Sequence, residues 1–265
     1  MIERKEPDMR SISTLAFVVL AGLTLSLTTG GGAGTAGAQS TAPSKSPATW
    51  APGGKRERWT AENCVFAFID HQTGLMNLVH NAPPVEFKNM VLALARTAKV
   101  HSVPAVITTS AENGPNGPFM PEVIQLLPNA PVISRPGQIN AWDNADFVDA
   151  IKKTGRKKIV MSGITTDVCV AFAALSALDA GYEVYVVVDA SGSMNSDTQN
   201  AALLRMSDAG AIMGTWFAIS CELLSDWRNP AGPDSAQLFI EHMPSYAEIY
   251  HSHKAQAKPA GGGKD

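Results

Sequence analysis

The stretch KIVMSGITTDVCVAFAALSALDAGYEVYVVVD, Lys158 to Asp189, is a strand, a turn, a helix and a second strand in close succession. KIVMS is a short apolar run of strand length. From Asp167 to Ala180 the apolar residues Val168, Ala171, Phe172, Leu175 and Leu178 recur at helical spacing, and Gly181 supplies a stop. VYVVV, Val184 to Val188, is rich in β-branched residues and reads as a strand buried on both faces. Two buried strands joined through a helix make a βαβ unit, which requires parallel strands.

The same alternation extends outward. CVFAFI (Cys64–Ile69) is a strand closed by Asp70, and Glu86 to Val100 carries a helical stripe at Phe87, Met90, Val91, Leu94 and Ala98. AVITT (Ala105–Thr109) is a strand, followed by a Gly/Pro/Asn loop and a short helix near Pro121–Leu127. PVIS (Pro131–Ser134) is a brief strand closed by Arg135. Asp143–Thr154 and Ser196–Ala209 read as helices, Ile212–Ile219 as a final strand, and Ser235–His242 and Ser245–His251 as helices. About six strand–helix alternations specify an α/β fold: a doubly wound, mostly parallel six-stranded sheet with helices on both faces, in three layers. No repeat of fixed period is present.

With 265 residues, 45% of them hydrophobic, the chain suits one medium domain plus tails. A net charge of −3 supplies no electrostatic footprint for nucleic acid. Arg4, Lys5 and Arg10 precede an apolar run, Ile12–Leu27, and Ala36-Gly37-Ala38 then offers a small-x-small cleavage site. Residues 1–38 are therefore expected to be a signal peptide, leaving no stable membrane span after cleavage and an exported protein, periplasmic or secreted. Residues 39–58 read as a flexible Pro/Ser/Thr/Gly-rich linker, 59–252 as the folded domain and 253–265 as a disordered tail. An oxidising compartment permits disulfides. Three cysteines leave at least one free in a monomer, and a Cys64–Cys221 bridge is one option beside two buried thiols.

In open parallel sheets ligands bind beyond the carboxyl ends of the strands. Three reactive or charged side chains fall there: Asp70 after the first strand, Arg135 after the third and Cys169 after the fourth. A cysteine at a helix start is expected to have its pKa lowered by the N–H groups of the first turn, and Arg135 acts in the same direction. Asp70 opposes ionisation of the thiol but can accept its proton. Main-chain N–H groups in the turn can form an oxyanion hole. Singly, each residue has a bland alternative: a core thiol, a turn aspartate, a surface ion pair. Their meeting at one sheet edge is what carries specificity. Gln72 and Glu112 lie beyond strand ends as candidate substrate contacts, with a solvated loop as the equal alternative.

FAFIDHQTGLM, SRPGQINAWDN and MSGITTDVCVAFAALSALDAGYEVYVVVDASGSM together resemble the isochorismatase-like cysteine hydrolases, and ENGPNGPF with TWFAISCELLSDWRN resembles the YcaC-like branch. The resemblance spans Trp59 to Tyr250. It implies that Cys169 is the nucleophile and Asp70 the strand-end acid, with Arg135 standing where the family usually carries lysine. It implies a cis peptide at Ile164–Thr165, aiming the N–H groups of Thr165 and Cys169 at a developing oxyanion. It also implies a homo-oligomer. The Asp/His metal set of the nicotinamidase branch is not found after Asp70, so no metal and no cofactor are expected. The implied activity is hydrolysis of a small amide, carbamoyl or related C–N substrate through a covalent cysteine intermediate. The competing reading is a catalytically weak, small-ligand-binding or redox-responsive protein on the same scaffold. A nucleotide-binding Rossmann protein is disfavoured, since no GxGxxG follows the first strand.

Overall fold

The computed structural model describes residues 57–257. The expected signal peptide and nearly all of the expected linker lie outside the described residues. Six strands form one sheet: β1 (Cys64–Ile69), β2 (Ala105–Ser110), β3 (Val132–Arg135), β4 (Lys158–Gly163), β5 (Glu183–Val187) and β6 (Ile212–Gly214). Their spatial order is β3-β2-β1-β4-β5-β6, and every neighbouring pair is parallel. The helices are α1 (Pro84–Val100), α2 (Pro121–Leu126), α3 (Ala145–Lys153), α4 (Ala171–Asp179), α5 (Ser196–Asp208), α6 (Trp216–Leu224), α7 (Gly232–His242) and α8 (Pro244–Ala257).

Two apolar layers sandwich the sheet. Along β1, Cys64, Phe66 and Phe68 enter one layer, and Val65, Ala67 and Ile69 enter the other, as the two-residue side-chain period dictates. The first layer is closed by Phe87, Val91 and Leu94 of α1, Trp216 of α6 and Phe239 of α7. The second is closed by Phe147 and Ile151 of α3, the alanines of α4, and Ala202 and Met206 of α5. Both central strands, β1 and β4, are buried at every position, which is why they read as unbroken apolar runs.

The chain winds outward from β1 to β3, then returns to the centre and winds the other way from β4 to β6. The direction reverses between β1 and β4, so their carboxyl ends flank a crevice that neither winding covers. Gly163, the last residue of β4, keeps those two ends close: a Cβ there would lie 2.3 Å from the Ile69 carbonyl oxygen.

The structure departs from the sequence reading in three places. The apolar run Ile212–Ile219 is a strand only to Gly214. Thr215 then accepts a hydrogen bond from Ala218 N at 3.2 Å and opens α6. A short apolar run suits either element, and the Asp189 carboxylate decides it by receiving Trp216 N at 3.0 Å. The helix expected from Asp167 begins instead with a π-turn, Thr166–Val170, before α4. The expected tail of residues 253–265 starts as helix, because α8 continues to Ala257; residues 258–265 lie outside the described residues. Of the two options left open for Cys64 and Cys221, the structure has the free thiols; the buried Cys64 thiol donates to the Thr60 carbonyl at 3.1 Å.

His71 is wholly buried against the rings of Phe68, Phe87 and Phe119, with Nε2 2.9 Å from the Ala190 carbonyl oxygen. Burial lowers its pKa from 6.5 to about 4. The unfolded chain protonates this imidazole near 6.5 while the folded chain keeps it neutral, so between those values the unfolded state binds more protons and stability falls as pH drops. Urea unfolding at pH 7 and pH 4 is expected to show a loss larger in the parent than in His71→Gln, by about 3 kcal/mol.

Candidate active site

The site is built on the crevice between β1 and β4. Asp70 follows β1 with a left-handed backbone (φ 55°), a conformation that aspartate tolerates better than most residues. Its amide N–H donates to the Thr108 carbonyl at 3.0 Å. This bend turns the carboxylate off the strand direction, and the side chain is completely buried.

Arg135, at the end of β3, reaches across β2 to that carboxylate. Nη2 donates to both Asp70 oxygens at 2.5 Å, and Nε donates to Thr108 Oγ1 at 3.0 Å. Nη1 donates to the Ile139 carbonyl at 3.0 Å and to the Gln138 carbonyl. Each of the guanidinium's N–H groups therefore has an acceptor, as a fully buried arginine requires. Thr108 passes the network on by donating its hydroxyl to the Ile133 carbonyl at 2.8 Å.

Cys169 comes from the other side. After β4 the Ile164–Thr165 peptide is cis, and the chain enters the π-turn. Thr166 ties this turn to the segment after β5: its N–H and its hydroxyl both donate to the Gly192 carbonyl, at 2.8 and 3.0 Å. The half-buried Cys169 thiol then comes beside the Asp70 carboxylate and the Thr165 main chain, within range for each to act on its ionisation.

The electrostatics reverse one expectation. The Cys169 thiol is pushed up to about 12 rather than lowered. Burial is the largest cause, followed by the charge of Asp70 and its hydrogen bond; the Thr165 hydrogen bond and the Arg135 charge pull the other way and lose. Two features explain it. The regular turns of α4 begin at Ala171, after the cysteine, and the carboxylate lies in direct contact whereas Arg135 acts from behind it. Asp70 is itself raised, because burial outweighs the stabilising charge and hydrogen bond of Arg135. The resting pair is a protonated thiol donating to a carboxylate of raised basicity.

Asp70, Arg135, Cys169 and the Thr165 main chain thus converge. Gln72 and Glu112 do not join them. Gln72 is wholly buried and its carboxamide clasps the loop after β2: Nε2 donates to the Ser110 and Gly117 carbonyls at 3.1 and 2.6 Å, and Oε1 accepts from Ser110 N at 2.8 Å. Its role here is to hold that loop rather than to offer a free amide to substrate. Glu112 accepts from Thr109 Oγ1 at 2.8 Å within the same loop. Among the described residues no three His, Cys, Asp or Glu side chains cluster as metal ligands, and His71 faces the aromatic layer. Sequence reasoning missed Thr108 and the Gln138 and Ile139 carbonyls, for neither a mid-chain threonine nor a loop carbonyl announces an arginine partner.

The model of the isochorismatase domain matches residues 64–217, a stretch that includes every member of this constellation. The chain belongs to the isochorismatase family. Within it the YcaC hydrolases are similar over about three quarters of the chain. The probable hydrolase YcaC of Escherichia coli (strain K12) is 50% identical over 190 residues, covering 72% of this chain and 91% of the relative. YcaC from Pseudomonas aeruginosa, solved with hexane-2,5-diol and covalent acrylamide, superposes with a TM-score of 0.74 at 47% identity, covering 76% of this chain and 99% of that one. The Escherichia coli YcaC structure, described as an octameric hydrolase of unknown specificity, gives 0.74 at 48% identity, covering 77% and 100%.

Two outcomes are expected from this geometry. Alkylation of Cys169 by iodoacetamide, followed by mass spectrometry of its peptide, should keep accelerating above pH 9, where an ordinary thiol of pKa about 8.5 is levelling off; in Asp70→Asn the profile should move to lower pH. Gly163→Ala should destabilise the fold by about 3 kcal/mol in urea unfolding, because the new methyl meets main chain rather than a flexible side chain.

Proposed function

We propose that this chain is an exported, cysteine-dependent hydrolase of small amide, carbamoyl or related C–N substrates, working as a homo-oligomer. The observation that carries the reading is the contact of a half-buried thiol with a wholly buried carboxylate that an arginine clamps from behind.

A thiol at about 12 attacks only if its proton leaves as the carbon–sulfur bond forms. Asp70 is the acceptor in contact with it, and its raised pKa makes it an effective one. As Sγ adds to the substrate carbonyl, the proton passes to Asp70 and negative charge moves to the carbonyl oxygen. The N–H groups of Thr165 and Cys169 are the donors assigned to that oxyanion. Collapse breaks the C–N bond; the leaving nitrogen takes the proton from Asp70 and departs as an amine, leaving an acyl-thioester. Asp70, again a carboxylate, deprotonates a water that attacks the thioester, and the proton it gained returns to sulfur as the acid product leaves. Arg135 takes no proton, since guanidinium does not deprotonate in a protein. It fixes the carboxylate and limits how far burial raises its pKa.

Support comes from two further directions. The Pseudomonas aeruginosa relative holds acrylamide covalently, and acrylamide is a small amide whose activated double bond adds soft nucleophiles such as thiols. The octameric Escherichia coli relative supports the homo-oligomer. Export rests on the leader-like residues 1–38. The redox-responsive alternative loses weight, because sensor cysteines are low-pKa thiols and Cys169 is the opposite.

Screening primary amides and N-carbamoyl compounds tests the reading. Cys169→Ala should cut kcat/KM by about 10⁴-fold or more for any substrate found; turnover at the parent rate would remove Cys169 from the mechanism. For the parent, kcat/KM should fall as pH drops through the Asp70 pKa, with a midpoint above the ordinary 3.8 because that group is raised and must be ionised to accept the proton.

A further inference from the structure

The loops around the thiol carry exposed apolar side chains that the reaction described above does not use. Leu78 is 39% exposed, Ile139 59% and Met194 46%, on the segments that follow β1, β3 and β5. All three segments leave the carboxyl edge of the sheet, the edge that holds the site.

They are also tied to the catalytic groups. Ile139 presents its carbonyl to Arg135 Nη1 at 3.0 Å, which ties its segment to the arginine clamp. Met194 follows Gly192, whose carbonyl receives both Thr166 donors and so holds the turn that carries Cys169. Leu78 and Met194 belong to one lip: the His80 N–H donates to the Ser193 carbonyl at 2.9 Å, and Val79 packs so closely on Gly192 that a Cβ there would lie 2.4 Å from a Val79 methyl. Ile139 is carried by the segment after β3, which lies on the other side of the β1–β4 crevice from β5 in the strand order. The three segments, Asn77–Val79, Gly137–Asn140 and Gly192–Asn195, contain no Lys, Arg, Asp or Glu.

Loops with exposed leucine, isoleucine and methionine, and no ion of either sign within those three segments, offer little to a charged substrate body. They gain free energy by covering an apolar one, and the unbranched methionine adapts to different shapes. The geometry points to Leu78, Ile139 and Met194 as specificity-determining residues that bind a neutral, apolar acyl chain, so that the preferred substrates are amides of medium-length aliphatic acids rather than ionised carbamoyl compounds. This rests on the hydrolase reading for its reaction, but the chain-binding claim can be tested apart from it.

Two series separate the claims. In the first, kcat/KM is measured for acetamide, butyramide, hexanamide and octanamide, with ionised N-carbamoyl glycine for comparison. In the second, the second-order rate of Cys169 alkylation is measured for N-methyl-, N-ethyl-, N-butyl- and N-hexylmaleimide, each divided by its rate with glutathione and read on the Cys169 peptide. The expected result in both is a rise of about twofold to fourfold per added methylene, the upper value being that of a fully buried CH₂. The rise should be reduced in Ile139→Ser and Met194→Ser, carried by KM rather than kcat in the amide series. Alkylation that rises with chain length while no amide turns over would sustain the apolar entrance and overturn the hydrolase reading. Alkylation flat with chain length, or N-carbamoyl glycine preferred over hexanamide, would overturn the entrance. So would Ser variants that keep the full chain-length gain but change the oligomer size in gel filtration, because the lips would then face another copy.

Discussion

The site depends on a buried ion pair that is saturated with hydrogen bonds. A guanidinium with no contact to water is tolerable only if its charge is balanced and its N–H groups are all engaged. Arg135 meets both conditions through Asp70, Thr108 and two loop carbonyls. The consequence runs in both directions. Asp70 cannot rotate away from the crevice without stranding a buried cation, and the segment at Gln138–Ile139 cannot lift away without exposing Nη1. One ion pair therefore fixes the carboxylate that lies beside the Cys169 thiol and holds the segment after β3 in place.

That pair also sets the chemistry of the thiol. Arg135 puts a permanent charge behind Asp70, and a permanent charge cannot share in proton traffic. The carboxylate beside the thiol is that of Asp70, and with its pKa pushed up to about 12 the thiol rests protonated. A free thiolate would be exposed to oxidation in any oxidising compartment, whereas a thiol near 12 is not. The same electrostatics that keep Cys169 protonated thus protect it from oxidation.

Much of this was legible in the chain. CVFAFI and KIVMS read as buried strands because both faces of a central parallel strand are covered, and that leaves a plain mark in composition. Strand ends could then be read off, and Asp70, Arg135 and Cys169 with them. The run Ile212–Ile219 was not legible, because a short apolar stretch suits strand or helix and the deciding contact, Asp189 to Trp216 N, joins residues 27 apart. Gln72 illustrates a different limit. Its position beyond β1 suggested a substrate contact, but its carboxamide is consumed by the Ser110–Gly117 loop, a partner that only the folded chain brings near.

The sequence by itself determined the doubly wound fold, the family and which ionisable side chains stand at the strand ends, because these follow from periodicity, strand-end position and motif, all of which are local. The tertiary structure alone decided the state of those groups. Whether a thiol beside a helix is raised or lowered depends on competing terms: burial, a carboxylate in contact, an arginine one shell further out and the onset of regular helix at Ala171. Each varies steeply with distance and solvent exclusion, and neither quantity is written in the order of residues along the chain.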